Sequence, residues 1–410
     1  TPIDRTNTQS LKWDVAENEL PMWVADMDFK APLAVRKALS EYAERGAFGY
    51  MASPDSFYRA AMDWEMRNHD YRIEREWIRF SPVMVNTPVY YPFFKAVESN
   101  GRKLVKSPLK YSEGKYSIDF EKFSRDIEEN NVKLYILCSP HNPVGRVWTA
   151  EELRRVLDIC REHGVMVVSD EIHHDLIAPG VKFVPALQCG KPGEYDQMVI
   201  ALTAPSKTFN LAAGQNSLVI IPDEELRSKW DGFAGSISMT SGNPMGYIAG
   251  EAAYNEGESW YNQLIHQIYE VNFPLLNNIL EQELPGVTVT DLQGTYLSWI
   301  DLSKVMDPSE VEKAVLEKGK LAVDFGHWFG GESFSGFVRM NLAAPEEYVE
   351  KGAREEAYTG KKACDEADRR EKWEDERRYQ ALGKRKEKRQ MYLIERHMRR
   401  RFLMNQYYVN

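Results

Sequence analysis

Four unbroken apolar runs punctuate the middle of the chain: "VKLYILCS" (132–139), "VMVVSDE" (165–171), "QMVIALT" (197–203) and "NSLVIIP" (216–222). Because they do not alternate with polar residues, they predict short strands buried on both faces. Between the first two, "TAEELRRVLDICREHG" follows a different period. Leu153, Val156, Leu157 and Cys160 fall on one helical face, Thr149 with Glu152 forms a capping box, and Gly164 stops the helix. Buried strands interleaved with an amphipathic helix predict an α/β fold with a mainly parallel sheet covered on both faces.

Charge divides the chain unevenly. The whole carries a formal net charge of −10, with 52 basic and 62 acidic residues. From residue 346 onward there are 18 basic and 14 acidic residues, a net of +4, so the preceding part carries −14. An acidic body argues against nucleic acid as the main partner. The tail is charge-dense, without Pro and with little Gly, and reads as a solvated helix. No apolar run reaches membrane-spanning length and no secretory pattern opens the chain, so a cytoplasmic protein is expected. The four cysteines (Cys138, Cys160, Cys189, Cys364) form no CxxC pair, which fits a reduced compartment better than a disulfide scaffold or zinc site.

Ligands of open α/β sheets gather outside the carboxyl ends of the strands. Asn142 follows the first run, Asp170 ends the second and Lys207 follows the third, which puts an amide, a carboxylate and an amine on one rim. An amine beside a carboxylate suits covalent chemistry on a carbonyl cofactor. Pyridoxal 5'-phosphate needs this set: a lysine for its aldehyde, a carboxylate at its ring nitrogen and a donor to its ring oxygen. The adjacent His173 and His174 lack the i, i+4 spacing of a helical metal pair, so no metal is expected.

Several motifs occur in order: "MWVADMDF" (22–29), "GY" (49–50), "TPVYYPF" (87–93), "SPHNPVGR" (139–146), "SDEIHHDL" (169–176), "TAPSKTFNLA" (203–212) and "RMNLA" (339–343). Together they resemble the fold-type I pyridoxal-phosphate enzymes of the aminotransferase class I/II superfamily, and within it the MalY/PatB cystathionine β-lyase group. The resemblance covers roughly residues 10 to 345. It implies a large α/β domain over 41–260 and a smaller α+β domain built from 1–40 and 261–345, with 346–410 as a charged tail. It implies that Lys207 holds the cofactor and moves the Cα proton, that Asp170 faces the pyridine nitrogen and that Asn142 bonds the ring oxygen. Tyr90 would stack on the ring, Tyr91 would stand beside the substrate and His173 would pack behind the cofactor. Ser206 and Thr203 would donate to the phosphate, and Tyr50 would reach the phosphate of a neighbouring subunit in a homodimer. Arg339 would clamp the substrate α-carboxylate, for which a guanidinium fork is suited. Trp13 and Trp23 are expected to be structural.

Two departures stand out. The family carries a glycine-containing turn and a long helix before "TPVYYPF", and that helix N-terminus presents backbone N–H groups to the phosphate. Here "WIRFSPVMVNTPVYYPF" passes directly from Phe80 and Ser81 to Thr87. A segment about one helix and one strand long is missing, and Ser81 to Asn86 cannot form a parallel crossover. The presence of the main phosphate cup, and of a sheet strand, is therefore left open. The charged tail is the second departure. The resemblance implies pyridoxal-phosphate-dependent carbon–sulfur β-elimination from an amino acid. An aminotransferase and a degenerate or regulatory homologue are the alternatives.

Overall fold

The capping box at Thr149 forms as the sequence requires. Thr149 Oγ1 accepts from Glu152 N at 3.2 Å, and the Glu152 carboxylate accepts from Thr149 N at 2.9 Å. The helix it starts, Ala150–Glu162, buries Leu153, Val156, Leu157 and Cys160. Gly164 ends it with φ +64°, a left-handed conformation that favours glycine. This computed structural model describes residues 5, 10–13, 15, 19–45, 54–72, 74, 78–79, 85–99, 102–236 and 242–362.

The four apolar runs become strands β7 (Leu134–Cys138), β8 (Met166–Asp170), β9 (Val199–Thr203) and β10 (Leu218–Ile220). With β2 (Ile78–Arg79) they form a five-stranded sheet in the order β2-β10-β9-β8-β7. Strands β7, β8 and β9 run parallel, with Cys138 opposite Asp170 and Asp170 opposite Leu202. β10 runs antiparallel to both neighbours. The carboxyl ends of β7, β8 and β9 therefore share one rim.

A short strand does precede "PVYYPF", outside the five-stranded sheet. β3 (Asn86–Thr87) pairs in parallel with β4 (Ser107–Pro108). Val85 and Val89 beside it pack on Ile136 and Cys138 of β7. Asn86 Nδ2 donates to Ser107 O at 3.0 Å, and the Tyr135 hydroxyl donates to Asn86 Oδ1. Six residues separate β2 from β3, too few for a helical crossover. Residues 80–84 and Tyr50 lie outside the described residues. Beyond β4, β5 (Lys110–Ser112) and β6 (Lys115–Ser117) form a small hairpin.

A second, antiparallel sheet follows the order β11-β12-β15-β14, from Thr288–Val289, Leu297–Asp301, Phe337–Asn341 and Asp324–Phe325 respectively. Strand β1 (Leu20–Pro21) lies parallel to β13 (Leu321–Ala322), joining the N-terminal segment to this later part of the chain. The next residues, 22–29, become a strap. Asn341 Nδ2 donates to Val24 O and Asp26 O, and Asn210 Nδ2 donates to Met27 O and Phe29 O. Beneath it, Lys12 and Asp28 form a fully buried ion pair at 2.6 Å. Trp13 Nε1 donates to Asp28, and Trp23 Nε1 donates to Lys12 O, the structural work expected of both tryptophans.

Residues 1–359 gather into one compact unit. Its last helix runs through 346–362 and buries Val349, Ala353, Ala357 and, unusually, Glu356. The charged tail beyond 362 lies outside the described residues, as does Cys364. Cys138, Cys160 and Cys189 are buried and free. Among the described residues no helix is long and apolar enough to cross a membrane.

Candidate active site

Lys207 sits in a single helical turn, Pro205–Thr208, launched by the end of β9. Its Nζ donates to Ala25 O of the strap at 3.1 Å. Burial, then the nearby charge of Arg339, lowers its pKa from the ordinary lysine value, against the pull of Asp26 and Asp170. This answers the cost of putting a lysine at the end of a buried strand. Burial disfavours the charged amine, and the carboxylates of Asp170 and Asp26 only partly oppose that.

Asp170 ends β8 on the same rim. Burial pushes its carboxyl up to about 6, opposed by the Ile172 N–H donating to Oδ1 at 3.2 Å and by Lys207. Its environment thus lacks a cation close enough to satisfy it. Asn142 stands in the turn after β7, where Gly145 has φ +70° and a Cβ would meet Leu292 at 3.1 Å. The turn is held by Tyr90 N donating to Asn142 O at 3.1 Å and by His141 Nε2 against Pro88 O at 2.8 Å.

These groups surround a cavity of about 350 Å³. Lys207, Asp170, Asn142, Tyr90, His173 and Ser206 all line it. The sequence brought six of its ten site residues to this one wall. His173 is buried, its ring edge-on to Tyr296, and its Nδ1 meets no partner among the described residues. Burial and the charge of Lys207 hold it neutral, well below the ordinary histidine value.

Three expected residues stand elsewhere. Thr203 is a correction: its hydroxyl is buried against His174 Nδ1 at 2.9 Å, so it does not face the cavity. Tyr91 packs against Trp328 and Phe329 rather than lining the wall. Arg339, in β15, lies just behind the wall, where Nη1 donates to Asn142 Oδ1 at 2.9 Å and Nη2 pairs with Asp324. Its guanidinium also covers the Phe329 ring at 4.9 Å.

Sequence reasoning missed Gln215, Asn216 and Ser217, which line the same cavity near Ser206. The polar run directly after "NLAAG" was the available signal. It also missed Ala25, which acts through a backbone carbonyl and so leaves no side-chain signal, and Asp324.

A family model described as aminotransferase class I and II matches residues 78–355. The chain belongs to that family. It is similar to the cystathionine beta-lyase PatB of Bacillus subtilis, 37% identical over 379 residues, covering 86% of this chain and 96% of the relative. It is also similar to the protein MalY of Escherichia coli, 30% identical, covering 85% and 95%. Among solved structures, the PLP-bound C-S lyase from Staphylococcus hominis matches with a TM-score of 0.81 at 30% identity, covering 88% and 97%. The fold is accordingly that of the fold-type I enzymes. Since 86% of 410 residues is about 353, about 26 of the 379 positions matched to PatB have no residue in this chain.

Proposed function

We propose that this protein is a pyridoxal-phosphate-dependent carbon–sulfur β-lyase acting on an L-amino acid with a thioether or thiol at Cβ. One observation carries the reading. A lysine amine of lowered pKa, an under-compensated carboxylate and an unpartnered buried imidazole nitrogen converge on one cavity. Its volume falls within the range of small-molecule sites, roughly 300–1,000 Å³.

The donor set fits the cofactor. Lys207 would hold its aldehyde, Asp170 its ring nitrogen, and Tyr90 and His173 its two faces. Asn142 accepts from Arg339 through Oδ1, which leaves its Nδ2 to donate to the ring oxygen. Ser206, Gln215, Asn216 and Ser217 supply donors at the phosphate end in the absence of the family's turn and helix. When bound, pyridoxal phosphate supplies an electron sink that stabilises a carbanion at Cα.

The remaining work belongs to the chain. Lys207, its pKa lowered by burial and Arg339, would take the Cα proton as a general base. Asp170 would keep a proton on the ring nitrogen of the bound cofactor. Arg339 binds the α-carboxylate and so fixes which Cα bond faces Lys207, with Tyr91 beside the substrate. The β-thiolate then leaves, and with one water the net products are a thiol, pyruvate and ammonia. A cytoplasmic homodimer, with Tyr50 completing the neighbour's site, and the domain division at residues 40, 260 and 345 are parts of the same reading.

The test is incubation of the full chain with pyridoxal phosphate and L-cystathionine. Pyruvate release without added keto acid supports elimination, whereas turnover only with a keto acid assigns an aminotransferase. A visible absorbance of a lysine-attached cofactor that disappears in Lys207→Ala would rule out the degenerate homologue, and its absence from the wild type at saturating cofactor would leave that homologue standing.

A further inference from the structure

Lys207 occupies a four-residue turn, and a turn that short has no stability of its own. Its neighbour Thr208 faces away from the cavity and donates through Oγ1 to Asp175 Oδ2 at 2.6 Å. Asp175 is buried, and its other oxygen is held from three more sides. Trp64 Nε1 donates to Oδ1 at 2.9 Å, His69 Nε2 lies at 2.6 Å and His174 Nε2 at 3.4 Å. The Tyr261 hydroxyl donates to its backbone oxygen at 2.7 Å. These partners come from the helix Asp55–His69, the helix Glu258–His266 and the loop after β8.

We propose that Asp175 positions the Lys207 amine by gripping Thr208, with the His174 and His69 rings holding Asp175 in place. A buried carboxylate is costly unless paired and hydrogen-bonded, and this one has three hydrogen-bonding partners with His174 Nε2 close by. Burial alone would raise its pKa, yet His174 and His69 keep it ionised, well below the usual carboxylate range. His174 is itself surrounded by acceptors. Its Nδ1 is 2.7 Å from Glu171 O and its Nε2 is 2.8 Å from Glu65 Oε1. Burial would lower its pKa, but Asp175 and Glu65 drive it up to about 10. Glu65, His69 and His174 do bring their ligand atoms within 4.8 Å of one another, the one such group among the described residues. A metal there needs a deprotonated Nε2. Both nitrogens of His174 already face acceptors, which is the arrangement of an imidazolium. The adjacent histidines thus play opposite parts: His173 is neutral and turned to the cavity, and His174 is charged and turned away from it.

This inference rests on Lys207 being the reactive amine, and its test reads that amine directly. Trace acetylation of the cofactor-free full chain with acetic anhydride, from about pH 6 to about pH 11, gives the titration midpoint of Lys207 by peptide mass spectrometry. Thr208→Val should move that midpoint up by about one unit, toward an ordinary lysine, because a loosened turn exposes the amine to water. Thr208→Ser should keep the wild-type midpoint, which a role in packing alone would not predict. Asp175→Asn should repeat the upward shift and serves where Thr208→Val fails to fold. A depressed wild-type midpoint that stays put in Thr208→Val and Asp175→Asn overturns this proposal alone. A wild-type midpoint at the ordinary lysine value overturns the functional reading with it. One zinc per chain by elemental analysis would overturn the assignment of His174 as a cation.

Discussion

Asp324 and Arg339 face each other across strands β14 and β15, and the carboxylate of one closes on the guanidinium of the other. Both are buried, at 1% and 2% exposure, so neither is solvated by water. Asp324 Oδ1 and Arg339 Nε meet no partner. The pair therefore holds the place that a substrate carboxylate would take on Arg339, and the substrate must compete for it. Asp324→Asn should lower KM for the amino acid and also lower the melting temperature, because Arg339 is left as an uncompensated buried cation. Arg339→Lys should raise KM by about 10- to 100-fold, the loss of a charge-assisted fork. Steady-state kinetics with thermal melting checks both, and an unchanged KM in the two variants would remove Arg339 from the substrate site.

The carboxyl of Asp170 is pushed up to about 6, above its ordinary value. Its ionisation therefore opposes folding of the cofactor-free protein. The associated stability is complete below about pH 4 and is lost as pH rises through about 6. Asp170→Asn should make the cofactor-free protein more stable at pH 8 by on the order of 1–3 kcal/mol while abolishing turnover. Denaturant melts and the pyruvate assay together measure the opposite signs.

Glu356 is buried with neither oxygen bonded among the described residues, and burial pushes its pKa up to about 8. Folding therefore favours the protonated acid, and that contribution disappears as pH rises through about 8. Glu356→Gln should be near neutral at about pH 5 and clearly stabilising at about pH 9. A melting-temperature difference that does not grow with pH would show that the carboxylate reaches water.

Phosphate-end donors make a prediction about the cofactor itself. Gln215→Ala should weaken pyridoxal phosphate binding by about tenfold, the effect of one lost hydrogen bond of about 1.4 kcal/mol. It should leave the weak binding of pyridoxal, which lacks the phosphate, unchanged. Equal losses for the two ligands would place Gln215 away from the phosphate.

The central sheet was legible because β7, β8 and β9 are buried on both faces and so appear as unbroken apolar runs. Its rim then placed Asn142, Asp170 and Lys207 without any knowledge of contacts. Thr203 was misplaced for a physical reason. Successive strand residues face opposite sides, and Thr203 takes the side of His174, whereas Ser206, in the helical turn beyond, faces the cavity. Asp324 was illegible because its importance arises only when β14 and β15 align and set it opposite Arg339. The strand before Pro88 was left open because the missing segment was judged by length alone, and β3 stands there outside the central sheet. The residues just before Pro88 still fit beside β7 and bond to β4.

The strap over residues 22–29 has a consequence for how the protein is made. Its hydrogen bonds to Asn341 span 317 and 315 residues, and the one from Lys207 to Ala25 spans 182. During synthesis the strap emerges early and waits until β15 has left the ribosome, so the central sheet can form before the lysine receives its partner. Contacts of such separation are slow to close. The newborn chain therefore holds an assembled sheet and an unfinished catalytic centre, and its chemistry begins only when the strap meets β15.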